Sequence, residues 1–248
     1  MKKNREEERE EVVDLFSSDE LYNLKVDEVI KILNEREKNS KPIEEEKEKI
    51  FEHYYTENPT SELTIKELTF VLHNSHIYKL KAPSGVYGKK RIDRASALLI
   101  ENVEITGKKL LDIGCGYGVI GIVLKKENPN IEVFMSDINN RAVQFTKINA
   151  KDNNANVEVR SGYLFEPWKD EKFDMIISNP PIVAGKHVWM KLIEDGFKHL
   201  NTEGTMQLVA FHNKGGKRIK EYMKNIFGNV TDVVKSGGAR VYKSVKED

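Results

Sequence analysis

The sequence predicts an α/β protein in which helices cover both faces of a mostly parallel sheet. From residue 108 onward, short apolar segments typical of strands alternate with longer segments whose apolar residues recur at helical spacing. Such alternation produces parallel strands joined by crossover helices, which places the sheet between two helical layers. The 248 residues, 39% of them apolar, are enough for one sizeable domain with a small appendage.

The appendage is predicted at the N-terminus, where residues 1–50 form a charged helical extension. They carry 11 Lys and Arg against 16 Asp and Glu, a net charge of −5. One set of apolar residues has the spacing of a single helical face: Val26, Val29, Ile30 and Leu33. The extension contains no catalytic signature, so the functional domain is predicted to span residues 51–248.

Two elements are predicted between the extension and the main alternation. Alternating apolar residues at 68–72, a turn at 73–75 and a second apolar segment at 77–80 indicate a β-hairpin. A Pro-Ser-Gly break ends the hairpin, and residues 95–100 then form an apolar helical segment.

The main sheet and its helices follow in regular order. Strands are predicted at residues 109–113, 131–136, 157–160, 173–178, 205–211, 230–235 and 240–244. Helices are predicted at residues 118–127, 141–153, 189–200 and 217–227. The pair Gly237-Gly238 is a favourable hairpin turn, so the last two strands are expected to pair and to leave one antiparallel strand at the edge.

Composition argues against several classes of protein. The longest nearly continuous apolar run, residues 119–124, is far shorter than the ~20 residues that span a bilayer. The charged N-terminus has no apolar stretch behind it, so neither a signal peptide nor a membrane anchor is expected. The single cysteine, Cys115, rules out an intrachain disulfide framework, and a cytoplasmic location is expected. The histidines lack metal-ligand spacing with acids or cysteines, so no metal is expected.

A glycine-rich loop, Asp112-Ile-Gly-Cys-Gly-Tyr-Gly, joins the first main strand to its helix. Gly114 and Gly116 allow a tight turn and a close approach to a ligand. Asp137 ends the second main strand, 23 residues after Gly114, and can accept hydrogen bonds from both ribose hydroxyls of a nucleoside cofactor. The Asp112 charge is a poor neighbour for a pyrophosphate but suits a cofactor with an ammonium and a sulfonium. These residues favour S-adenosylmethionine.

Cys115 and Ile138 adjoin these residues and are predicted to line the same cofactor site. Cys115 is interpreted as a small residue in a tight loop rather than as a nucleophile. Asp137 could alternatively cap the helix that follows it, but its spacing and its place at a strand end favour cofactor binding.

An Asn-Pro-Pro sequence, Asn179-Pro180-Pro181, follows the strand predicted at residues 173–178. The prolines restrict the backbone, so that the nearby carbonyl points in one direction. The Asn179 side-chain oxygen and the Pro180 carbonyl can then accept two hydrogen bonds from one NH2 group. Such acceptors position an amine and stabilise the charge that develops on its nitrogen, without a strong general base. A strand-end turn would explain an isolated Asn-Pro pair, but the cofactor motif upstream favours a catalytic role for these three residues.

These motifs, in this order, resemble those of class I S-adenosylmethionine methyltransferases. The closer resemblance is to the methyltransferase small domain family, and it is carried by GVYGKKRIDRAS at residues 85–96 and NPPIVAGK at residues 179–186. It covers about residues 52–248. This family includes enzymes that methylate the exocyclic amine of a guanine in small-subunit ribosomal RNA.

The resemblance implies a Rossmann-like doubly wound sheet of seven strands with an antiparallel last strand, preceded by a β-hairpin that flanks the active site. It places Asp112, Gly114 and Gly116 by the methionine end of S-adenosylmethionine and Asp137 at the ribose. Asn179 would lie beside both the cofactor and the target amine.

The sequence departs from the family pattern at two positions. Many relatives have an aromatic residue after Asn-Pro-Pro that stacks on the target base, and here the residue is Ile182. The stacking surface must therefore come from elsewhere or be weaker. Relatives often have an Asp where this chain has Tyr163, and that acid usually binds the adenine amine. A backbone carbonyl could serve instead.

RNA is the expected partner, and basic residues are the candidates for contacting its backbone. Residues 79–94 contain six basic residues against one acid, although ordinary solvated faces show similar patterns. The expected substrate contacts are Ile182, Lys186, Lys89, Arg91 and Arg94.

Two alternative functions remain open at this point. A protein methyltransferase acting on a glutamine amide would use the same Asn-Pro-Pro acceptors, although such enzymes prefer an aromatic residue after the prolines. A non-catalytic adaptor that binds S-adenosylmethionine and a partner is a function of another class, and the intact Asn-Pro-Pro sequence argues against it.

Overall fold

The computed structural model describes residues 56–247, which form a two-stranded hairpin and a seven-stranded sheet with packed helices. The α/β fold class, the hairpin and the number of strands in the sheet are therefore confirmed. The extension predicted for residues 1–50 and its boundary with the functional domain lie outside the described residues.

The elements are numbered here in chain order. The strands are β1 Ile65–Val71, β2 Ile77–Pro83, β3 Lys109–Ile113, β4 Glu132–Asp137, β5 Val157–Ser161, β6 Phe173–Ser178, β7 Leu200–Phe211, β8 Thr231–Ser236 and β9 Ala239–Val245. The helices are α1 Arg94–Asn102, α2 Val119–Glu127, α3 Asn140–Asp152, α4 Lys186–His199 and α5 Gly216–Phe227. Most differ from their predicted bounds by one or two residues. Strand β7 begins five residues early, because Leu200 pairs with Phe173 ahead of a register shift.

The main sheet has the strand order β5-β4-β3-β6-β7-β9-β8. Strands β3 to β7 are parallel, and β9 is antiparallel to both β7 and β8. The antiparallel last strand is therefore confirmed, but its expected place at the edge is wrong. It lies between β7 and β8, because its residues are more buried than those of β8 and the more apolar strand takes the inner position. Gly237 and Gly238 have positive φ (+52° and +83°), as the predicted hairpin turn requires.

Two apolar cores lie on opposite faces of the sheet, because successive side chains of a strand point to opposite sides. Leu110 of β3 belongs to the core beneath α1, α2 and α3, and its neighbour Leu111 belongs to the core beneath α4 and α5. Strand order reverses at the centre, where β3 has β4 on one side and β6 on the other. In doubly wound folds, ligands bind at such a point, outside the carboxyl ends of the strands.

The hairpin is held against α3 by buried polar contacts. Asn149 donates from Nδ2 to the Lys81 carbonyl (2.9 Å) and accepts at Oδ1 from the Lys81 N–H (2.8 Å). The guanidinium of Arg141, also buried, donates to the carbonyls of Ser61 (2.9 Å) and Ser84 (3.1 Å). These bonds fix the segment after the hairpin beside the carboxyl ends of β3 and β4.

Candidate active site

A cavity of about 570 Å³ opens where the strand order reverses. Its walls are the loops that follow β3, β4 and β6, the segment between the hairpin and α1, and the end of β7. Most of the predicted site residues line it: Gly114, Cys115, Gly116, Asp137, Ile138, Asn179, Pro180, Pro181 and Ile182. The sequence motifs therefore meet in one place, as their positions at the ends of parallel strands require.

The glycine-rich loop is fastened to β4 through its backbone. The N–H groups of Gly114 and Cys115 donate to the Ser136 carbonyl, at 2.8 and 3.0 Å. Gly114 and Gly116 have φ of +71° and +58°, values that side chains rarely tolerate. A Cβ on Gly114 would meet no atom within 4 Å, so this backbone borders open space. The loop therefore presents bare backbone to whatever enters the cavity.

Asp137 is held by the same loop. Its Oδ2 accepts the Gly116 N–H (2.8 Å) and its Oδ1 accepts the Asn139 N–H (2.9 Å). Each carboxylate oxygen can accept a further hydrogen bond, so this fixed side chain can still receive ribose hydroxyls. Burial raises the pKa of Asp137 from its usual value, and the two N–H donors oppose that rise.

Asp112 lies beneath the loop rather than at the cavity surface. The carboxylate is fully buried, its Oδ2 accepts the Gly121 N–H (3.0 Å), and its Oδ1 has no hydrogen-bond partner among residues 56–247. Burial, with a smaller contribution from the Asp137 charge, raises the pKa of Asp112 to about 7. The structure does not bring this residue into contact with the cavity, and the cofactor-binding role that the family resemblance implies for Asp112 stays a prediction.

Cys115 and Ile138 both line the cavity, as expected. The Cys115 thiol is buried, with its Sγ 3.7 Å from Oγ1 of Thr146. Burial raises the pKa of this thiol well above its usual value, and the nearby Asp137 charge adds to the rise. A thiol in this environment stays protonated and is a poor nucleophile, which agrees with its interpretation as a small loop residue.

Asn179 follows β6, and its side-chain amide is oriented by two partners. Its Nδ2 donates to Oδ2 of Asp93 (2.9 Å) and to Oγ of Ser96 (3.0 Å). Because an ionised carboxylate only accepts hydrogen bonds, the amide nitrogen must face Asp93. The amide oxygen, Oδ1, is then the atom left to accept a hydrogen bond from a molecule in the cavity.

The predicted basic substrate contacts are not brought together at the cavity. Lys89 donates from Nζ to the Thr64 hydroxyl, and Arg91 and Lys186 are exposed away from the cavity lining. The Arg94 guanidinium lies against the turn between β8 and β9, since a Cβ on Gly237 would fall 2.1 Å from its Nη2. The RNA contacts expected of these four residues therefore stay a prediction.

Ile182 and Tyr163, the two departures from the family pattern, both line the cavity. Ile182 packs against the segment after β7, because a Cβ on Gly215 would lie 2.7 Å from its Cγ2. Tyr163 lies in the loop after β5, which is joined to β4 by a bond from the Gly162 N–H to the Asp137 carbonyl (3.0 Å).

Sequence reasoning missed several lining residues, among them four with polar groups: Tyr87, Asp93, Ser96 and Lys214. Asp93 precedes an apolar helix in the sequence Asp93-Arg-Ala-Ser96, a pattern typical of an N-cap residue. This pattern could have drawn attention to the Asp93 carboxylate. Lys214 offered no local signal, because only the fold brings the end of β7 to the cavity.

Comparison with known proteins identifies the family. The family model of the methyltransferase small domain matches residues 77–243. The chain belongs to this family. It is therefore a class I methyltransferase whose cofactor is S-adenosylmethionine. The fold and the order of motifs expected from the resemblance are confirmed.

Three relatives illustrate the range of similarity. "Uncharacterized protein YbxB" of Bacillus subtilis (strain 168) is 34% identical over 79% of this chain and 98% of its own length. Ribosomal RNA small subunit methyltransferase C of Shewanella amazonensis is 30% identical over 68% of this chain and 52% of its own length. This chain spans about half the length of the curated relatives with that name. A T. thermophilus 16S rRNA N2 methyltransferase, solved with AdoMet and guanosine, has a TM-score of 0.66 at 20% identity, over 76% of this chain and 52% of its own.

The residues of the cavity fit S-adenosylmethionine. Two buried or half-buried carboxylates, Asp112 and Asp137, lie at the loop, and one carboxylate oxygen of Asp112 has no hydrogen-bond partner within the part of the chain that the structure describes. A cation nearby would stabilise both charges.

Within residues 56–247, no helix is long and apolar enough to cross a bilayer, and no cluster of three or more His, Cys, Asp or Glu residues could hold a metal ion.

Proposed function

We propose that this protein transfers a methyl group from S-adenosylmethionine to the exocyclic amino group of a guanine in ribosomal RNA. The observation that carries the proposal is the orientation of the Asn179 amide, whose nitrogen is committed to Asp93 and Ser96 and whose oxygen is left to accept. A side chain held in this way recognises an N–H donor. An exocyclic amine carries two such donors, one for Oδ1 of Asn179 and one for the Pro180 carbonyl, whereas a hydroxyl carries a single donor and a carboxylate none.

The cofactor half of the cavity is assigned to the glycine-rich loop and its neighbours. Gly114 and Gly116 would receive the methionine end along bare backbone, and Asp137 would accept the ribose hydroxyls. Bound there, S-adenosylmethionine supplies an electrophilic methyl group on a sulfonium. The negative field of Asp112 and Asp137 would favour this cationic cofactor over its neutral demethylated product.

The acceptor half is assigned to the loop that follows β6. An aromatic amine is a weak nucleophile, because its nitrogen lone pair is delocalised into the ring. Oδ1 of Asn179 and the Pro180 carbonyl would each accept one N–H, which leaves the lone pair directed away from both acceptors. The same two dipoles stabilise the positive charge that grows on the nitrogen as it attacks. No side chain with the character of a strong base is needed at this step.

The choice of ribosomal RNA rests on the curated relatives, which are named ribosomal RNA small subunit methyltransferases. Guanosine accompanies AdoMet in the T. thermophilus neighbour, so this fold can hold that nucleoside beside the cofactor. The recessed position of Asn179 suits a base that has left its stack, because a paired base could not reach the acceptor loop.

The test is transfer of label from radiolabelled S-adenosylmethionine to small ribosomal subunits, free ribosomal RNA, transfer RNA and total protein in parallel. The labelled product is digested and the modified nucleoside identified. We expect guanosine methylated at its amine, from small-subunit RNA. Label on a glutamine amide in the protein fraction would contradict the RNA assignment. Cofactor binding without label in any fraction would favour the non-catalytic adaptor.

A further inference from the structure

We propose that Asp93 is a positioning residue that holds both contacts of the target base, and that the ring of Tyr87 is the stacking surface that Ile182 does not provide. This inference rests on the proposed function for the identity of the base. The positioning of Asn179 by Asp93 does not depend on which amine is methylated.

Asp93 is itself fixed by the start of α1. It is the N-cap residue, and its Oδ2 accepts the N–H groups of Ala95 (3.1 Å) and Ser96 (3.2 Å). The helix dipole stabilises a negative charge in this position. The carboxylate is therefore held in one orientation by its own helix, and it can position the side chains that contact it.

The Asp93 carboxylate contacts Asn179. The same Oδ2 accepts the Asn179 Nδ2–H (2.9 Å), and Ser96 of the same helix turn takes another hydrogen bond from that nitrogen (3.0 Å). Without Asp93 the amide can rotate by half a turn at little cost, since its two ends have nearly the same shape. Rotation would present N–H groups where the target amine needs an acceptor, and the substrate would be repelled.

The second contact goes to Tyr87. Its hydroxyl donates to the other oxygen of the carboxylate, Oδ1 of Asp93 (3.2 Å), and its ring lines the cavity with 53% of its surface exposed. An exposed aromatic ring in a cavity wall offers a flat face on which another aromatic ring can stack. The hydroxyl bond holds the ring at the wall that carries Asp93. Ile182, which packs against Gly215 in the segment after β7, offers no such flat face.

The Asp93 carboxylate thus contacts both Asn179, which accepts from the target amine, and Tyr87, whose ring can stack on the base that carries this amine. Asn179 recognises the reacting group, and Tyr87 recognises the aromatic ring. A nucleobase matches both features together, whereas a glutamine amide would use Asn179 alone. Every base has a π-face, so stacking on Tyr87 contributes affinity and leaves the choice among bases to polar contacts.

The first experiment separates positioning from folding with two substitutions. Asp93→Ser keeps a good N-cap, because serine caps helices about as well as aspartate, but its short hydroxyl cannot also reach Asn179. Asp93→Asn keeps an oxygen at the original reach, but its NH2 group no longer obliges the Asn179 nitrogen to face it, so it is the intermediate variant of the series. We expect kcat to fall at least about tenfold in Asp93→Ser and to fall less in Asp93→Asn, with cofactor affinity and melting temperature unchanged in both.

The second pair of substitutions addresses stacking. We expect Tyr87→Leu, which removes the ring, to raise the KM for RNA roughly tenfold, and Tyr87→Phe, which keeps it, to raise the KM far less. An unchanged KM in Tyr87→Leu would overturn the stacking role. Wild-type kcat in Asp93→Ser would overturn the positioning role.

An NMR measurement that needs no RNA tests the positioning role of Asp93 separately from the proposed function. The side-chain amide signals of Asn179, observed by NMR with S-adenosylmethionine bound, should shift strongly in Asp93→Ser, which removes the acceptor, and shift less in Asp93→Asn, which keeps an oxygen in its place. Unshifted signals in Asp93→Ser would overturn the positioning role even if no RNA were methylated. If the wild type methylated a glutamine amide, the kinetic test of Asp93 would be repeated on that substrate, and the role of Tyr87 in stacking would be wrong.

Discussion

The backbone N–H of Gly121 donates a 3.0 Å hydrogen bond to Oδ2 of Asp112, while Oδ1 of the same buried carboxylate has no partner among residues 56–247. A buried carboxylate with one hydrogen-bond donor is costly to ionise. The protein nevertheless places it directly beneath the loop that borders the cofactor half of the cavity. We interpret this as an electrostatic arrangement that is incomplete until a cation binds above it.

The first prediction is that Asp112 makes the protein without cofactor less stable as the pH rises. Its pKa is about 7 in the folded protein and about 4 in an unfolded chain. Between these values the folded state keeps a proton that the unfolded state has lost, so the free energy of unfolding falls with increasing pH. The fall is complete above pH 7 and amounts to at most about 4 kcal/mol. Urea unfolding at pH 5 and pH 8 measures it.

Asp112→Asn is the matched variant for this measurement. Its amide oxygen can still accept the Gly121 N–H, but the side chain no longer titrates. The new NH2 group would lack a partner, which lowers stability by about 1–3 kcal/mol at every pH. The informative quantity is therefore the change in stability between the two pH values. The prediction is wrong if this change is the same in the variant and the wild type.

The second prediction concerns Asp137 and cofactor affinity. Hydrogen bonds to a charged group contribute about 1.5–3 kcal/mol, so Asp137→Ala should weaken S-adenosylmethionine binding by about 10- to 100-fold. The substitution also frees the Gly116 N–H that Oδ2 now accepts, and loosening of the loop adds to the loss. Isothermal titration calorimetry measures the affinity. An unchanged dissociation constant would exclude the ribose contact.

The third prediction separates the acceptor half of the cavity from the cofactor half. Asn179→Ala removes Oδ1 as an acceptor, and loss of one such group typically lowers kcat by about 10²–10³-fold. The donors and carboxylates around the glycine-rich loop are untouched, so S-adenosylmethionine affinity should remain near wild type. Single-turnover kinetics with saturating cofactor measures the methyl-transfer rate. Undiminished methylation by this variant would remove Asn179 from the acceptor site.

The sequence predicted those parts of the fold and site that depend on local patterns. Three motifs lie at the end of a strand or directly after it: the glycines at 114 and 116, the acid at 137 and the Asn-Pro-Pro sequence. Parallel strands bring their carboxyl ends to one edge of the sheet, so these motifs meet. The position of β9 was mispredicted, because hairpin signals show that two strands pair but not which of them joins the sheet. Burial decides that choice, and burial depends on the whole sheet.

The surroundings of charged residues depend on tertiary structure for a related physical reason. Arg94 begins α1, and its guanidinium lies against the turn at Gly237, whereas Lys89 and Arg91 lie in the segment before that helix. The carboxylate of Asp93, which lies among them, turns inward to α1 and Asn179 instead. Lys214 reaches the cavity from more than a hundred residues further along the chain, and only tertiary structure reveals it.

The fourth prediction is that Lys214 contacts a phosphate of the substrate RNA. It is exposed, it lines the cavity at the end of β7, and its Nζ lies 5.8 Å from the ring centre of Phe211, which holds the ammonium near the opening. Removing one phosphate contact to single-stranded RNA should reduce the slope of log affinity against log salt by about 0.7. The variant Lys214→Ala tests this by filter binding at several salt concentrations.

Lys224→Ala is the matched control for this measurement, because Lys224 is an equally exposed lysine at the opposite end of α5. It removes the same charge from the protein, so any long-range effect of net charge on RNA affinity appears in both variants. Only a residue that neutralises a phosphate should change the salt dependence itself. Equal slopes for Lys214→Ala, Lys224→Ala and wild type would place the RNA backbone elsewhere and leave Lys214 as an ordinary surface lysine.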